Sequence, residues 1–424
     1  MRHHEAVIMP DAARTIARPF VPSYPDGPDD PVRSRAVVIA ARILALGDDE
    51  LTDDLSGVSR LLDARHRDVG DMLLRRFDEV APLLDISDTV DERRRMLIGA
   101  YFTQEYAFEA AALFNPSAVL HPDQSGVAEG AIRFLLSLRA IGEGHVSSLS
   151  FRTGTWTPGG ALKLDPAGPT TQGPLIELDA AGEPGIVRLH CGGSRVVSET
   201  VLFPMTPRQK QGIEDVRLVR FVDDDGTAIF YGTYTAFDGM DARSELLVTH
   251  DFHDFEMRAL TGAAAQHKGM ALFPRRIDGR YAMLGRHDNE NIWLLRSDEL
   301  TRWADGVRVV APRFPWEYVQ MGNCGSPIEL DEGWLVFTHG VGKVRNYTVG
   351  ACLLDKRDPS RLLARTPKPI LSPAPDRRDG YVPNVVYSCG ALVVGRDILL
   401  PYAVADSYTA FASITADALL GLME

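Results

Sequence analysis

Regularly spaced turn signals in the second part of the chain constrain its fold most strongly. Each signal lies between apolar or aromatic runs, as tight turns between strands do; the four signals are Asp225-Gly226, Asp278-Gly279, Glu332-Gly333 and Gly395-Arg396. Successive signals are 53, 54 and 63 residues apart. A second sequence feature, a short segment that ends in Asp, follows an apolar strand in three of these intervals: Thr249-His250-Asp251, Ser297-Asp298 and Leu354-Asp355. This period, with three or four short strands per unit, is typical of β-propeller blades.

The earlier part of the chain has a different pattern. From about Arg35 to Phe114, apolar residues recur at three- and four-residue steps, which predicts helices. Ser87 and Asp88 precede a charged turn and predict a helix start near residue 89. Residues 1–34 lack the apolar core of a signal peptide and end in a stretch rich in Pro, Asp and Gly, so we expect a flexible N-terminus and no export by that route.

The length gives the number of blades. Residues 115–424 make 310 residues, and at about 60 residues per blade this allows about five. The sequence therefore predicts an all-β fold, a five-bladed β-propeller over residues 115–424, with an N-terminal α-helical extension over residues 35–114.

Composition excludes several classes of partner. The net charge is −13, which disfavours nucleic acid, although a local basic cluster could still bind a small anion such as phosphate. The chain has no apolar run long enough to cross a bilayer, so we expect a water-soluble, cytoplasmic protein with no membrane partner. The helical extension is a candidate surface for homo-oligomerisation.

Neither the cysteine spacing nor a nucleotide-binding motif indicates a cofactor. Four cysteines lie far apart without a C-x-x-C spacing, which favours buried reduced thiols over disulfides or a zinc site; they are Cys191, Cys324, Cys352 and Cys389. The His250–Asp254 run favours a solvated hairpin end over a metal site. No glycine-rich phosphate loop opens a helix. We therefore expect no metal and no cofactor.

A cluster of charged side chains opens one predicted hairpin. Glu214 and Asp215 are followed by Arg217, and a carboxyl group beside another carboxylate and a guanidinium has a pKa open to tuning for general acid catalysis. A solvated strand end is the alternative, because most such pairs are exposed.

This stretch also carries a resemblance. The sequence GIEDVRLVRF, followed by YGTYTAFDG, resembles the signature of glycoside hydrolase family 130, which contains mainly β-mannoside phosphorylases and some β-mannosidases. The similarity extends over roughly residues 113–413. It implies a five-bladed propeller, in agreement with the blade count, and it places the catalytic acid at Asp215, although Val216 stands where the family usually has proline.

The same resemblance implies a sugar site. Its candidate residues come from several predicted blades: Asn115, Arg139, Asp238, Tyr387 and Asp406. An Asx turn before proline is the alternative for Asn115, and a surface ion pair is the alternative for Arg139. The run from Gly142 to Ser148 departs from the family pattern, and its Glu143 and His145 suggest a turn that faces the ligand.

The resemblance further implies a phosphate site. The candidates are Lys268 in HKGMALFP, Arg286 at the end of a strand, His339 in GWLVFTHGV, and Tyr347 in the next strand. A solvated loop lysine, a pair with Asp288 and a structural histidine are the respective alternatives for the first three.

These residues predict an inverting phosphorylase. In the mechanism that the resemblance implies, Asp215 would donate its proton through the mannose 3-hydroxyl, and inorganic phosphate, as co-substrate, would attack the opposite face to give α-mannose 1-phosphate and a shortened sugar. Phosphorolysis needs cations where hydrolysis needs a base. An inverting β-mannosidase with Glu143 or Glu290 as base is one alternative, and a carbohydrate-binding propeller without catalysis is another.

Overall fold

The computed structural model describes residues 1–24, 30–84, 86, 89–177, 185–377 and 379–424. The chain forms two compact units. The first unit comprises Met1–Ala12, Phe108–Gly168 and Gly173–Glu424, and the second comprises Ala13–Ala107 and Pro169–Gln172.

Strands greatly outnumber helices along the chain. The helices are α1 (Pro31–Leu44), α2 (Asp48–Leu62), α3 (Val69–Val80), α4 (Glu92–Tyr101) and α5 (Ala416–Leu420). The strands are β1 (Arg2–Ile8), β2 (Ile16–Pro19), β3 (Thr103–Tyr106), β4 (Ala112–Leu120), β5 (Ile132–Ile141), β6 (Ser147–Trp156), β7 (Leu162–Leu164), β8 (Leu175–Glu177), β9 (Ile186–His190), β10 (Val201–Leu202), β11 (Gly212–Val222), β12 (Ala228–Phe237), β13 (Ala242–Thr249), β14 (Asp254–Ala259), β15 (Ala271–Leu272), β16 (Tyr281–Gly285), β17 (Ile292–Ser297), β18 (Gly306–Val310), β19 (Gln320–Asn323), β20 (Ile328–Glu329), β21 (Trp334–Val341), β22 (Tyr347–Leu354), β23 (Leu362–Arg365), β24 (Val386–Tyr387), β25 (Leu392–Val394), β26 (Asp397–Val404) and β27 (Tyr408–Thr415).

Helices α1 to α4 build the second unit, together with the antiparallel pair β2 and β3. Buried apolar residues from all four helices form its core, with Leu51, Phe77 and Leu97 among them. Helix α4 begins at Glu92, where the side chain of Asp91 accepts a hydrogen bond from Arg94 N. Ser87 and Asp88, which predicted this helix start, lie outside the described residues.

Four sheets build the first unit. The largest has 11 strands in the order β4-β5-β6-β11-β12-β13-β14-β9-β8, with β7 and β10 also paired to β6. Strands β15 to β18 form a four-stranded sheet, β19 to β23 form a five-stranded sheet, and β1 joins β24 to β27 in another five-stranded sheet. Each of three hydrophobic cores is shared by two sheets that follow one another along the chain.

The prediction of an all-β, five-bladed propeller is wrong for this structure. None of the described sheets closes on itself, and the strands do not divide into five four-stranded blades. A parallel contact between Ser147 and Gly212 continues one sheet from β6 into β11, so this sheet includes more of the chain than one predicted blade of about 60 residues. Turn spacing counts hairpins, whereas the pairing of sheet edges depends on tertiary contacts that spacing does not report.

The local predictions fared better than the global one. Each of the four spaced turn signals lies between two paired strands, as at Asp225-Gly226 between β11 and β12. All four cysteines are buried and free, as predicted. In the part of the chain that the structure describes, no helix is both long and apolar enough to span a membrane. The N-terminal segment predicted to be flexible contributes β1, which pairs with β27.

Candidate active site

One cavity in the first unit gathers most of the predicted site residues. Its volume is about 330 Å³, and eight of the ten predicted residues line it: Asn115, Arg139, Asp215, Lys268, Arg286, Tyr347, Tyr387 and Asp406. These residues come from all four sheets of the unit or from the loops beside them. Residues separated by almost 300 positions in the sequence therefore share one pocket.

Asp215 lies at an irregularity in β11. The register against β12 shifts between Glu214 and Arg217, and the backbone of Asp215 is left-handed, with φ of 54°. A bulge of this kind redirects a side chain that regular alternation would place elsewhere, and such strain is common at functional sites. The carboxylate of Asp215 is 18% exposed, so it faces the cavity without being freely solvated.

Asn115 is held in the same manner. The register of β4 against β5 shifts between Phe114 and Ser117, and Asn115 has φ of 50°. Its Nδ2 donates a hydrogen bond of 2.6 Å to Oδ1 of Asp215. Two bulged strands thus present an amide and a carboxylate to each other. Asn115 lies within β4.

Arg139 links the two acidic side chains of β11. Its Nη2 lies 2.7 Å from Glu214 Oε1, and its Nη1 lies 3.4 Å from Asp215 Oδ1. Its Nε donates to Ser147 Oγ at 2.9 Å. The guanidinium is therefore fixed on three sides, as planar Arg donors allow.

The two neighbouring carboxyl groups have opposite pKa shifts. Burial raises the pKa of Glu214, and the charge of Asp215 adds to the rise, although Arg139 opposes it. Burial alone would also raise the pKa of Asp215, but Arg139, Asn115, Lys268 and Arg217 together outweigh it and hold that pKa below its usual range. These contacts therefore favour the ionised form of Asp215.

Asp406 is a third acidic group of the cavity. It lies in the turn between β26 and β27 with a left-handed backbone, φ of 48°. Burial, followed by repulsion from Asp215, raises the pKa of Asp406 to about 6. Near neutral pH its proton is therefore more readily retained than that of Asp215.

Besides Arg139, four basic side chains line the same cavity: Arg217, Lys268, Arg286 and Arg345. Arg217 is 3% exposed and donates from Nη2 to the Tyr387 hydroxyl at 2.9 Å. It also donates to the main-chain oxygen of Gly269. This concentration of positive charge is sufficient for an oxyanion, despite the negative charge of the whole chain.

Two predicted residues lie outside the cavity lining. His339 is buried, at 1% exposed, and contacts Arg286 instead of the cavity. Asp238 lies in the turn after β12, where its Oδ1 accepts hydrogen bonds from the N–H groups of Met240 and Asp241, each at 2.8 Å.

The two candidate bases for a hydrolytic reaction also lie outside the cavity lining. Glu143 and Glu290 are exposed in the loops after β5 and before β17. His145, in the same loop as Glu143, has its Nδ1 2.6 Å from the hydroxyl of Tyr381. Among the described residues, no group of three or more His, Cys, Asp or Glu side chains could hold a metal ion.

Sequence reasoning missed several lining residues. They include Thr233 and Thr235 on β12, Asn289, Gln320 and Arg345. Alternation along β12 could have shown the two threonines, because they share a face. The loop around Arg345 repeats that around His145: Gly142 and Gly342 have nearly equal dihedral angles, and both loops continue with left-handed residues.

Comparison with known sequences identifies the family. A family model described as "beta-1,4-mannooligosaccharide phosphorylase" matches residues 193–424, more than half of the chain. A "1,2-beta-oligomannan phosphorylase" from a Thermoanaerobacter species is 35% identical over 217 residues, which cover 50% of this chain and 71% of that protein. A "Beta-1,2-mannobiose phosphorylase" from Listeria innocua is 32% identical over 232 residues, covering 53% and 63%.

The chain therefore belongs to glycoside hydrolase family 130 and is an enzyme that acts on glycosidic bonds. The family resemblance predicted from the sequence is confirmed. The matched segment contains Asp215, Lys268, Arg286 and Asp406, whereas Asn115 and Arg139 precede it.

Solved structures share the fold. The β-1,2-mannobiose phosphorylase from Listeria innocua, in complex with β-1,2-mannobiose, has a TM-score of 0.54 at 22% identity and covers 74% of this chain and 92% of that chain. A glycosyl hydrolase from Bacteroides ovatus has a TM-score of 0.53 at 18% identity, covering 74% and 87%. At these identities the likeness establishes the fold and nothing finer.

Proposed function

We propose that this enzyme is an inverting phosphorylase that cleaves a β-mannosidic bond with inorganic phosphate, giving α-mannose 1-phosphate and a shortened sugar. One observation carries the proposal: Arg217, Lys268, Arg286 and Arg345 line the same cavity as Asp215. Relatives named as β-mannoside phosphorylases support it.

In the proposed reaction, Asp215 is the proton donor. Its proton passes through the mannose 3-hydroxyl to the glycosidic oxygen, which leaves with the electron pair of the broken C1–O bond. A phosphate oxygen forms the new bond to C1 from the opposite face, so the β linkage becomes an α-phosphate. The relay bridges a longer distance between acid and glycosidic oxygen than direct transfer would.

The proposed acid must gain a proton before it can act, because Asn115, Arg139, Lys268 and Arg217 favour its ionised form. Phosphate bound beside Lys268 would offset part of that positive charge. The pKa of Asp215 would then rise, as it does when a like charge approaches a carboxyl group. Under this proposal, phosphate serves both as nucleophile and as the species that prepares the acid.

Hydrolysis would require a base for water. Of the described carboxylates, only Asp215 and Asp406 line the cavity, so Asp406, whose pKa is raised to about 6, would have to be that base. The basic side chains of the lining outnumber these two carboxylates. Glu143 and Glu290 are exposed outside it. The balance of charges therefore favours phosphate as the nucleophile.

Product analysis tests the proposal. The enzyme should be incubated with β-1,2- and β-1,4-linked manno-oligosaccharides, with and without inorganic phosphate, because relatives are named for both linkages. Mannose 1-phosphate formed only with phosphate would support phosphorolysis and identify the linkage. Free mannose in equal amounts in both tubes would make the enzyme a hydrolase, and sugar binding without any product would indicate a non-catalytic protein.

A further inference from the structure

The buried contact between His339 and Arg286 indicates the protonation state of the histidine. Nε2 of His339 lies 2.9 Å from Nη1 of Arg286. A guanidinium has only donors and stays charged, so the histidine nitrogen must be the acceptor in this bond. Nε2 therefore carries no proton, and the ring is neutral, with its proton on Nδ1.

The surroundings of the ring support this state. Nδ1 lies 3.9 Å from Cys324 Sγ, a weak acceptor. Burial lowers the pKa of His339 well below its usual range, and the charges of Arg286 and Arg217 lower it further. Protonation would place a second cation against Arg286 and break the contact.

Aromatic rings and a close backbone fix the position of the imidazole. The ring centroid of Tyr387 is 5.0 Å away, and that of Tyr347 is 6.2 Å away. Gly322 is paired with His339 across β19 and β21. A Cβ at Gly322 would lie 2.6 Å from Cε1 of His339 and 2.9 Å from Cδ of Arg286, so this position has no room for a larger residue.

We propose that His339 is a positioning residue for Arg286: its neutral Nε2 holds the guanidinium in the cavity for phosphate, and His339 itself does not touch the anion. A neutral acceptor suits this task because a carboxylate partner would cancel the positive charge that phosphate needs. Arg286 is 7% exposed and lines the cavity, whereas its Nε has no hydrogen-bond partner. The inference rests on the proposed phosphorolysis.

The test is a double-mutant cycle on the full-length enzyme, with phosphate and mannoside varied separately. His339→Asn removes the acceptor, and we expect the KM for phosphate to rise about tenfold while the KM for mannoside changes less than about twofold. His339→Gln offers an amide oxygen near the position of Nε2 and should recover most of the loss. In an Arg286→Ala background, His339→Asn should add less than about twofold.

His121→Asn is the matched control, since His121 is half-buried, also has its pKa lowered by burial, and lines a different cavity. A crystal of the wild-type enzyme soaked with inorganic phosphate gives a readout that does not depend on folding of the variants. We expect phosphate oxygens at hydrogen-bond distance from Arg286 and none at that distance from Nε2 of His339.

Three outcomes would count against the inference. An undiminished effect of His339→Asn in the Arg286→Ala background would overturn it, because independent ligands give additive losses. Direct contact between phosphate and Nε2 in the crystal would also overturn it. If wild-type turnover does not depend on phosphate, the proposed function fails together with the inference, whereas the first two outcomes leave phosphorolysis intact.

Discussion

At the scale of single residues, the site depends on charged side chains that shift one another's pKa values. Asp215 contacts Asn115 and Arg139 directly, while Glu214 shares the same guanidinium. One arginine thereby connects two carboxyl groups whose pKa values move in opposite directions. Neighbouring carboxyl groups can thus have pKa values shifted in opposite directions, because their environments differ.

The proposed acid gives the first prediction at this scale. Asp215→Asn should lower kcat at least about a hundredfold, because the amide cannot supply the proton, while mannoside binding is retained. Turnover and mannoside affinity should be measured on the same preparation. Asp225→Asn, in the exposed turn after β11, is the matched control. Near-normal turnover of the Asp215→Asn variant would show that Asp215 is not the proton donor.

Lys268 gives the second prediction. Its side chain lines the cavity from an exposed loop, so Lys268→Ala should raise the KM for phosphate about tenfold or more and leave the KM for mannoside nearly unchanged. Steady-state kinetics with each substrate varied in turn checks this, with the exposed Lys163→Ala as control. Equal changes in both constants would count against a phosphate site at Lys268.

The ionised state of Asp215 gives a pH prediction. Its pKa is lowered in the free enzyme, so the protonated acid becomes scarce as pH rises above that value, and activity should fall. Phosphate dianion beside the cations raises that pKa, so the fall should begin at higher pH when phosphate is saturating. Rate profiles for mannoside at low and saturating phosphate should therefore differ; identical profiles would mean that phosphate does not influence the acid.

At the scale of secondary-structure elements, local irregularities determine which side chains a strand directs into the cavity and how closely two helices pack. Bulges in β4 and β11 turn Asn115 and Asp215 toward each other. The helices depend on close approach: a Cβ at Gly99 in α4 would lie 2.0 Å from the main-chain oxygen of Leu73 in α3. Because Gly99 has no side chain, the backbones of α3 and α4 come into direct contact at this position.

The helix crossing gives a stability prediction. Gly99→Ala should lower the free energy of unfolding of the helical unit by about 2–3 kcal/mol, because an overpacked contact forces the helices apart. Gly57→Ala in α2 is the control, since the nearest atom to its added Cβ is 3.9 Å away, and it should stabilise by about 0.5–1 kcal/mol. Thermal unfolding of both variants checks the pair, and equal stability would refute the close crossing.

At the scale of the whole molecule, the sheets combine strands in a way that the repeat length did not predict. The 11-stranded sheet combines the hairpins on either side of the contact between β6 and β11. The cavity nevertheless collects residues from every sheet of the first unit. Homo-oligomerisation through the helical extension and a cytoplasmic location stay predictions.

The sequence by itself determined the local structure and the family. Turn residues and apolar alternation depend on near neighbours, so the hairpins, the helices and the burial of all four cysteines could be predicted. The motif around Asp215 was sufficient to identify glycoside hydrolase family 130.

Only the tertiary structure decided how the sheets join and which side chains meet. The pairing of Ser147 with Gly212 and the seating of His339 behind Arg286 depend on contacts between distant segments. Arg345 enters the cavity from a loop whose sequence gives no chemical signal. Local patterns do not encode these positions, because side-chain burial and edge pairing are properties of the packed chain.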